Sequence, residues 1–229
     1  MIHRELLRSI TILIGLYATS VISADPSNND RAIWSSAAIH LSQIGKQNRT
    51  LTSPDGHKEI VTQGYGFRVK QLSSGKELPE TDSYGLGGLG EIGWAPDSNA
   101  FFVTQSDGGL VGTWSVAVFL ISDSGVKQED VSAAVLQDFE KRYKCDEPQI
   151  PEIAAIKWLE GSSELLLLAE VPNHSSCPQM GMVRGYLVSV PDGKIVQELD
   201  RKTLLHDWSN AMQPWVLGLL KDDSGGYGD

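Results

Sequence analysis

The sequence predicts an all-β fold with minor α content: an array of about three four-stranded antiparallel units, one inserted helix and one C-terminal helix. Three observations carry that expectation. Three segments superpose when laid over one another by their turns; each is followed by the same downstream pattern of strand, Gly turn and strand; and apolar residues at helical spacing stand out in two places.

The first segment runs Leu51-Thr52-Ser53-Pro54-Asp55-Gly56 and continues into Glu59-Ile60-Val61-Thr62. The second runs Ile92-Gly93-Trp94-Ala95-Pro96-Asp97-Ser98 and continues into Ala100-Phe101-Phe102-Val103-Thr104. A weaker third copy is Ile156-Lys157-Trp158-Leu159-Glu160-Gly161-Ser162, leading into residues 164–169. In each, a short apolar stretch meets a turn rich in Pro, Asp, Gly or Ser, and an apolar strand follows, which is a hairpin signal. The next strands are residues 67–72, 115–121 and 186–190, each before a Gly turn, and Lys194-Ile195-Val196-Gln197 shows that a fourth strand can follow. Four antiparallel strands make one propeller blade.

These residues resemble the TolB-like β-propeller repeat, a relative of the WD repeat. Its units carry a strand ending in Trp or Ser, then Pro-Asp-Gly, then an apolar strand. Trp94-Ala95-Pro96-Asp97 and Ser53-Pro54-Asp55-Gly56 fit that pattern, whereas Trp158-Leu159-Glu160-Gly161 keeps the Trp and loses the Pro-Asp. The resemblance covers roughly residues 48–200. It implies blade architecture and says little about function, because such repeats serve binding, scaffolding and sometimes catalysis.

Pro54 and Pro96 lie a blade's length apart, but Pro96 and Glu160 are further apart by the length of a helix. Residues 131–145 supply it, with Val131, Val135, Leu136 and Phe139 on one face and Glu140, Lys141, Arg142 and Lys144 on the other. A second helix is expected over residues 202–220, where Leu204, Leu205, Trp208, Met212 and Trp215 form an apolar stripe that Pro214 kinks or restarts. Three units fall short of the roughly four to eight blades of a closed ring. The expected array is therefore incomplete. Either the helices cover its edges in a monomer, the favoured arrangement, or a second chain completes six blades in a homodimer. Trp94 and Trp158 are expected at equivalent buried positions.

The first residues indicate export. Arg4 and Arg8 precede an apolar run over residues 10–22, and the small residues Ser23 and Ala24 come before Asp25-Pro26, as in a secretory signal peptide cleaved after residue 24. The β domain then spans residues 25–221, and the Gly- and Asp-rich tail, residues 222–229, is expected to be disordered. The apolar run is short for a membrane span, so no stable membrane insertion is expected after cleavage, and the location is periplasmic or secreted. The formal net charge of −10 disfavours nonspecific nucleic-acid binding, so no nucleic-acid partner is expected, and it favours a basic partner, if charge chooses a partner at all. Cys145 and Cys177 are the only two cysteines. In an oxidising compartment such a pair reads as one structural disulfide, with two independent thiols as the alternative.

Chemistry is harder to place. His40, His57, His174 and His206 show no metal-binding or catalytic spacing, so no metal, cofactor or catalytic residue is assigned. Gly85-Leu86-Gly87-Gly88-Leu89-Gly90 is dense in glycine, but a strand and a Pro-Asp turn follow it where a phosphate loop needs a helix. The long loops of units two and three, residues 104–114 and 171–184, should meet at one end of the array, where propellers commonly bind ligands. Asp107, Trp114, Glu170, His174 and Arg184 are the candidate binding surface. The expected function is an exported interaction module that binds a protein or an envelope component. The alternative is an envelope enzyme or inhibitor-type protein with its site in those loops.

Overall fold

The computed structural model describes residues 34–42, 48–79, 86, 89–106, 112–146 and 149–221. The expected signal peptide and disordered tail lie outside these residues. The chain is mostly β, in three antiparallel sheets that do not close into a ring.

A first strand, β1 (Ile39–Ser42), precedes the repeats. Unit one is the meander β2 (Thr50–Thr52), β3 (Lys58–Gln63), β4 (Gly66–Gln71) and β5 (Glu77–Leu78). Unit two is β6 (Leu89–Trp94), β7 (Ala100–Ser106), β8 (Trp114–Ser122) and β9 (Gly125–Glu129). Unit three is β10 (Glu152–Trp158), β11 (Glu164–Glu170), β12 (Val183–Ser189) and β13 (Ile195–Leu199). The middle sheet departs from the expected four strands. It has five, because β1 pairs antiparallel with β6, placing Ile39 opposite Ile92 and His40 opposite Glu91.

The turns confirm the superposition atom by atom. Gly56 N–H donates to the Ser53 carbonyl, Ser98 N–H to Ala95 and Ser162 N–H to Leu159, at 2.9, 2.9 and 3.1 Å. Gly56, Ser98 and Ser162 are thus equivalent, and all three are left-handed, with φ of 71°, 63° and 60°. The units are joined by the same bonds each time. The Trp94 indole Nε1–H donates to the Leu51 carbonyl at 3.3 Å, and the Trp158 indole to the Gly93 carbonyl at 3.0 Å. In the other direction, Asp55 N–H donates to Ser98 Oγ and Asp97 N–H to Ser162 Oγ, both at 3.0 Å. The two tryptophans are equivalent in bonding but not in burial: Trp158 is buried, whereas Trp94 is only half-buried.

Two apolar layers separate the three sheets, and a third covers the outer face of unit three. Between units one and two, Ile60, Val69, Ile92, Val103 and a Phe67, Phe101 and Phe119 cluster fill the space, the rings 4.9 to 5.3 Å apart. Between units two and three lie Phe102, Val118, Ala155, Leu165, Leu167 and Tyr186. The outer face of unit three, with Ile156, Leu166, Leu168 and Leu187, is covered by Leu204, Met212, Val216 and Leu220.

The inserted helix is shorter than expected and has a different job. α1 (Ala133–Phe139) begins where Asp130 Oδ1 accepts from Ser132 N–H and Ala133 N–H. It ends in tighter bonds, Lys141 N–H to Asp138 and Arg142 N–H to Phe139. Val131, Val135, Phe139 and Tyr143 are buried in the layer between units two and three, so the helix wedges two sheets rather than covering an edge. Its Asp138 is clamped by Arg142 at 2.8 Å and receives the Tyr186 hydroxyl at 3.2 Å.

The C-terminal helix is split into α2 (Arg201–Asp207), a 3-10 turn over Ser209–Ala211, and α3 (Pro214–Lys221). Pro214 restarts the helix at its first position, where a missing N–H costs nothing. Asp200 caps α2 by accepting from Thr203 N–H at 2.7 Å. The break serves the N-terminal segment: Ser35 bridges to Met212, and Gln213 N–H donates to the Trp34 carbonyl at 3.0 Å. Gly185 lets α2 lie close on β12, since a Cβ there would stand 2.6 Å from a Leu204 methyl.

Candidate functional site

The predicted surface residues do not form one surface. Trp114 is buried and meets Trp34 edge-on at 6.2 Å; Trp34 also meets Trp215 at 4.8 Å. Glu170 is fully buried. Arg184 sits one residue beyond Val183, the ladder partner of Glu170, so strand alternation sends it to the opposite face. His174 is exposed in the loop between β11 and β12. Asp107 lies outside the described residues. Trp114 and Glu170 therefore belong to the interior of the loop-bearing end: each is the terminal strand residue before or after a long loop, and Trp114 packs against Trp34.

That loop is internally bonded and tied down. Val171 N–H donates to Met182 and Gly181 N–H to Val171, both at 2.9 Å. Cys145 and Cys177 form a disulfide, as expected, joining the stretch after α1 to the loop. Cys177 is thus a disulfide partner and offers no thiolate beside His174. Among the described residues, no helix is long and apolar enough to cross a membrane.

Sequence reading missed two buried carboxylates. Glu91 lies on β6 and Glu152 opens β10, each inside an apolar strand, and that mismatch of residue type and setting is the signal that could have found them. Glu91 is fully buried, and its carboxylate accepts from Trp34 N–H and Ser35 N–H, each at 3.2 Å. Burial pushes it up to about 8, against the opposing pull of the Ser35, Trp34 and Thr104 hydrogen bonds. Thr104 also accepts the Ala155 N–H at 3.0 Å, which satisfies β10 where a bulge breaks its ladder between Ala155 and Lys157. The Glu91 carboxyl therefore fastens the N-terminal segment to unit two. Glu152 pairs with Glu170 across the ladder. Burial pushes Glu152 up to about 7; burial, then the Glu152 charge, push Glu170 up to about 8.

A cavity opens elsewhere, between units two and three. It has a volume of about 190 Å³, and its exposed lining residues Ala37, Pro96 and Lys157 leave it open to solvent. Trp94, Phe102 and Trp158 form its aromatic wall, Ala38 and Pro96 part of its rim, and Lys157 is its cation. Gly93 is required in this wall because the Phe102 ring lies across it, 2.4 Å from where a Cβ would be. The cavity is at the last residues of β10 and the buried glutamate pair is at its first. Four to six residue steps of strand put them about 13–20 Å apart.

No protein-family model and no curated protein matches this chain.

Proposed function

We propose that the chain is an exported interaction module of three TolB-like units that binds a protein or envelope component by receiving one apolar side chain in the cleft between units two and three. The cavity carries this reading. An apolar cavity of about 150 Å³ takes up benzene, so a space of this size and lining suits one aromatic or branched aliphatic group. Its exposed lining residues suit a side chain presented by a surface more than a small molecule that must be enclosed. The disulfide accords with an oxidising compartment. The acidic surface favours basic residues around the partner's apolar anchor.

The separation of cavity and carboxylates weighs against the enzyme alternative. General acid-base chemistry needs its titrating groups within hydrogen-bond reach of a bound substrate. Here Glu152 and Glu170 sit at the far end of β10, and Glu91, also pushed toward neutrality, is fully buried on β6 with its carboxyl taken by the Trp34 and Ser35 N–H groups. A photo-crosslinking residue at Ala38 tests the binding reading in the envelope fraction, with Arg68 on unit one as the control position. The expected result is a discrete adduct from Ala38 alone, lost when Ala37→Trp fills the cavity. Equal adducts from both positions would remove the cavity from the interface.

A further inference from the structure

The end of unit three where β10 begins and β11 finishes holds two carboxyl groups side by side. Glu152 and Glu170 are direct partners on the antiparallel ladder, so their side chains leave the same face as neighbours. Alternation places that face with Ala154, Ile156, Leu166 and Leu168, in the layer that also holds Trp34, Trp114 and the C-terminal helices. Glu170 is fully buried and Glu152 nearly so. Among the described residues neither carboxylate oxygen of Glu170 has a hydrogen-bond partner.

The groups around the pair offer it no cation. The next ladder partner is Val183, and Arg184 leaves the opposite face of β12. On α2, the Arg201 Nε–H donates to the Leu220 carbonyl, His206 pairs with Asp207, and Lys202 is exposed, as is Lys221 on α3. On the neighbouring sheet, Glu91 is held by Trp34 and Ser35, with His40 opposite it on β1. The charge that acts on Glu170 is that of Glu152, of the same sign. Two adjacent buried carboxylates without donors cannot both ionise cheaply. They stay protonated, or their end of the sheet parts and admits water.

We propose that Glu152 and Glu170 form a proton-held latch: protonated, the pair keeps the end of β10 and β11 and the disulfide-tied loop of residues 171–181 seated, and ionisation releases them to water. The continuity is direct, since Val171 follows Glu170 and bonds both Gly181 and Met182. The values near 7 and 8 place release close to neutrality. The folded state holds these protons above the ordinary glutamate value of 4.5, where the unfolded chain has lost them. The latch is thus at full strength below that value and weakens as pH rises through about 7 to 8.

Hydrogen exchange on the full chain at acidic and mildly alkaline pH, corrected for the intrinsic base-catalysed rate, tests this. The expected wild-type result is a loss of protection of about tenfold or more at residues 169–182 on going alkaline. The Glu152→Gln/Glu170→Gln double variant, a mimic of the protonated pair, should abolish that loss, and Glu91→Gln should retain it. Protection independent of pH in the wild type, or an unchanged loss in the double variant, overturns the latch. Carbon NMR of the wild-type glutamate carboxyls covers the case of a variant that fails to fold: titration of Glu152 and Glu170 at the ordinary glutamate value also overturns it.

Discussion

Ser98 and Ser162 each do two things that conflict in most side chains. Their backbones are left-handed, which costs an L-residue roughly 1–2 kcal/mol, and their hydroxyls accept an N–H from the preceding unit. Glycine would relieve the first and lose the second; alanine keeps the strain and loses the bond. Ser98→Ala should therefore destabilise by about 1 kcal/mol, and Ser98→Gly by less, as read from the urea midpoint. No loss in Ser98→Ala would mean that the hydroxyl contributes nothing between units, and equal losses in the two variants would mean that the left-handed backbone carries no strain. Trp158 and Trp94 differ in the same testable way. Trp158→Ala should cost about 3–5 kcal/mol, whereas half-buried Trp94 should cost clearly less despite an equivalent indole bond. These bonds were legible in outline, since the turn spacing aligned Trp94 with Trp158 and Ser98 with Ser162. The pairing of Glu152 with Glu170 was not, because it depends on a ladder register that one bulge residue resets.

At the scale of elements, burial pattern separates a sheet covered on one face from a sheet covered on both. β3 alternates, with Ile60 and Thr62 buried between more exposed neighbours, because unit one faces the array on one side only. β11 buries all of Leu165, Leu166, Leu167 and Leu168, because both of its faces are covered. That contrast was present in the strings Glu59-Ile60-Val61-Thr62 and Leu165-Leu166-Leu167-Leu168. The position of β1 was not, since its four residues carry no hairpin signal and find β6 only through the tertiary fold. The helix expected over residues 131–145 shortened because its last apolar residues are pulled elsewhere: the Tyr143 hydroxyl donates to the Gln149 carbonyl at 2.8 Å, and Cys145 is bonded to Cys177. Replacing both cysteines by serine should cost about 3–4 kcal/mol on the chain-entropy estimate for a loop of this length. Denaturant unfolding measures the loss. Alkylation before and after reduction checks the bond itself, and two thiols that react without reductant would refute it.

At the scale of the molecule, the bonds that join one unit to the next also explain where the array stops. Extending it before unit one would need a tryptophan and a serine at the places equivalent to Trp94 and Ser98. Unit one has Thr52 and Gly56 there, neither able to make those bonds. Its outward face is polar, with Thr50, Thr52, Arg68 and Glu77 exposed and Arg68 paired to Glu77 at 3.3 Å. Such a face is that of a terminal repeat, which needs no neighbour. At the other end, α2 and α3 lay Leu204, Met212, Val216 and Leu220 over unit three, where a fourth unit would have packed. A second copy therefore finds neither the bonding residues at one end nor an open apolar face at the other. Light scattering should show a monomer. Removing the residues after Thr203 should uncover Ile156, Leu166 and Leu168, a contiguous apolar face, and cause aggregation at concentrations where the intact chain stays monodisperse. A stable dimer of the intact chain, together with a soluble and folded truncation, would refute the capped stack and favour a ring completed by two chains.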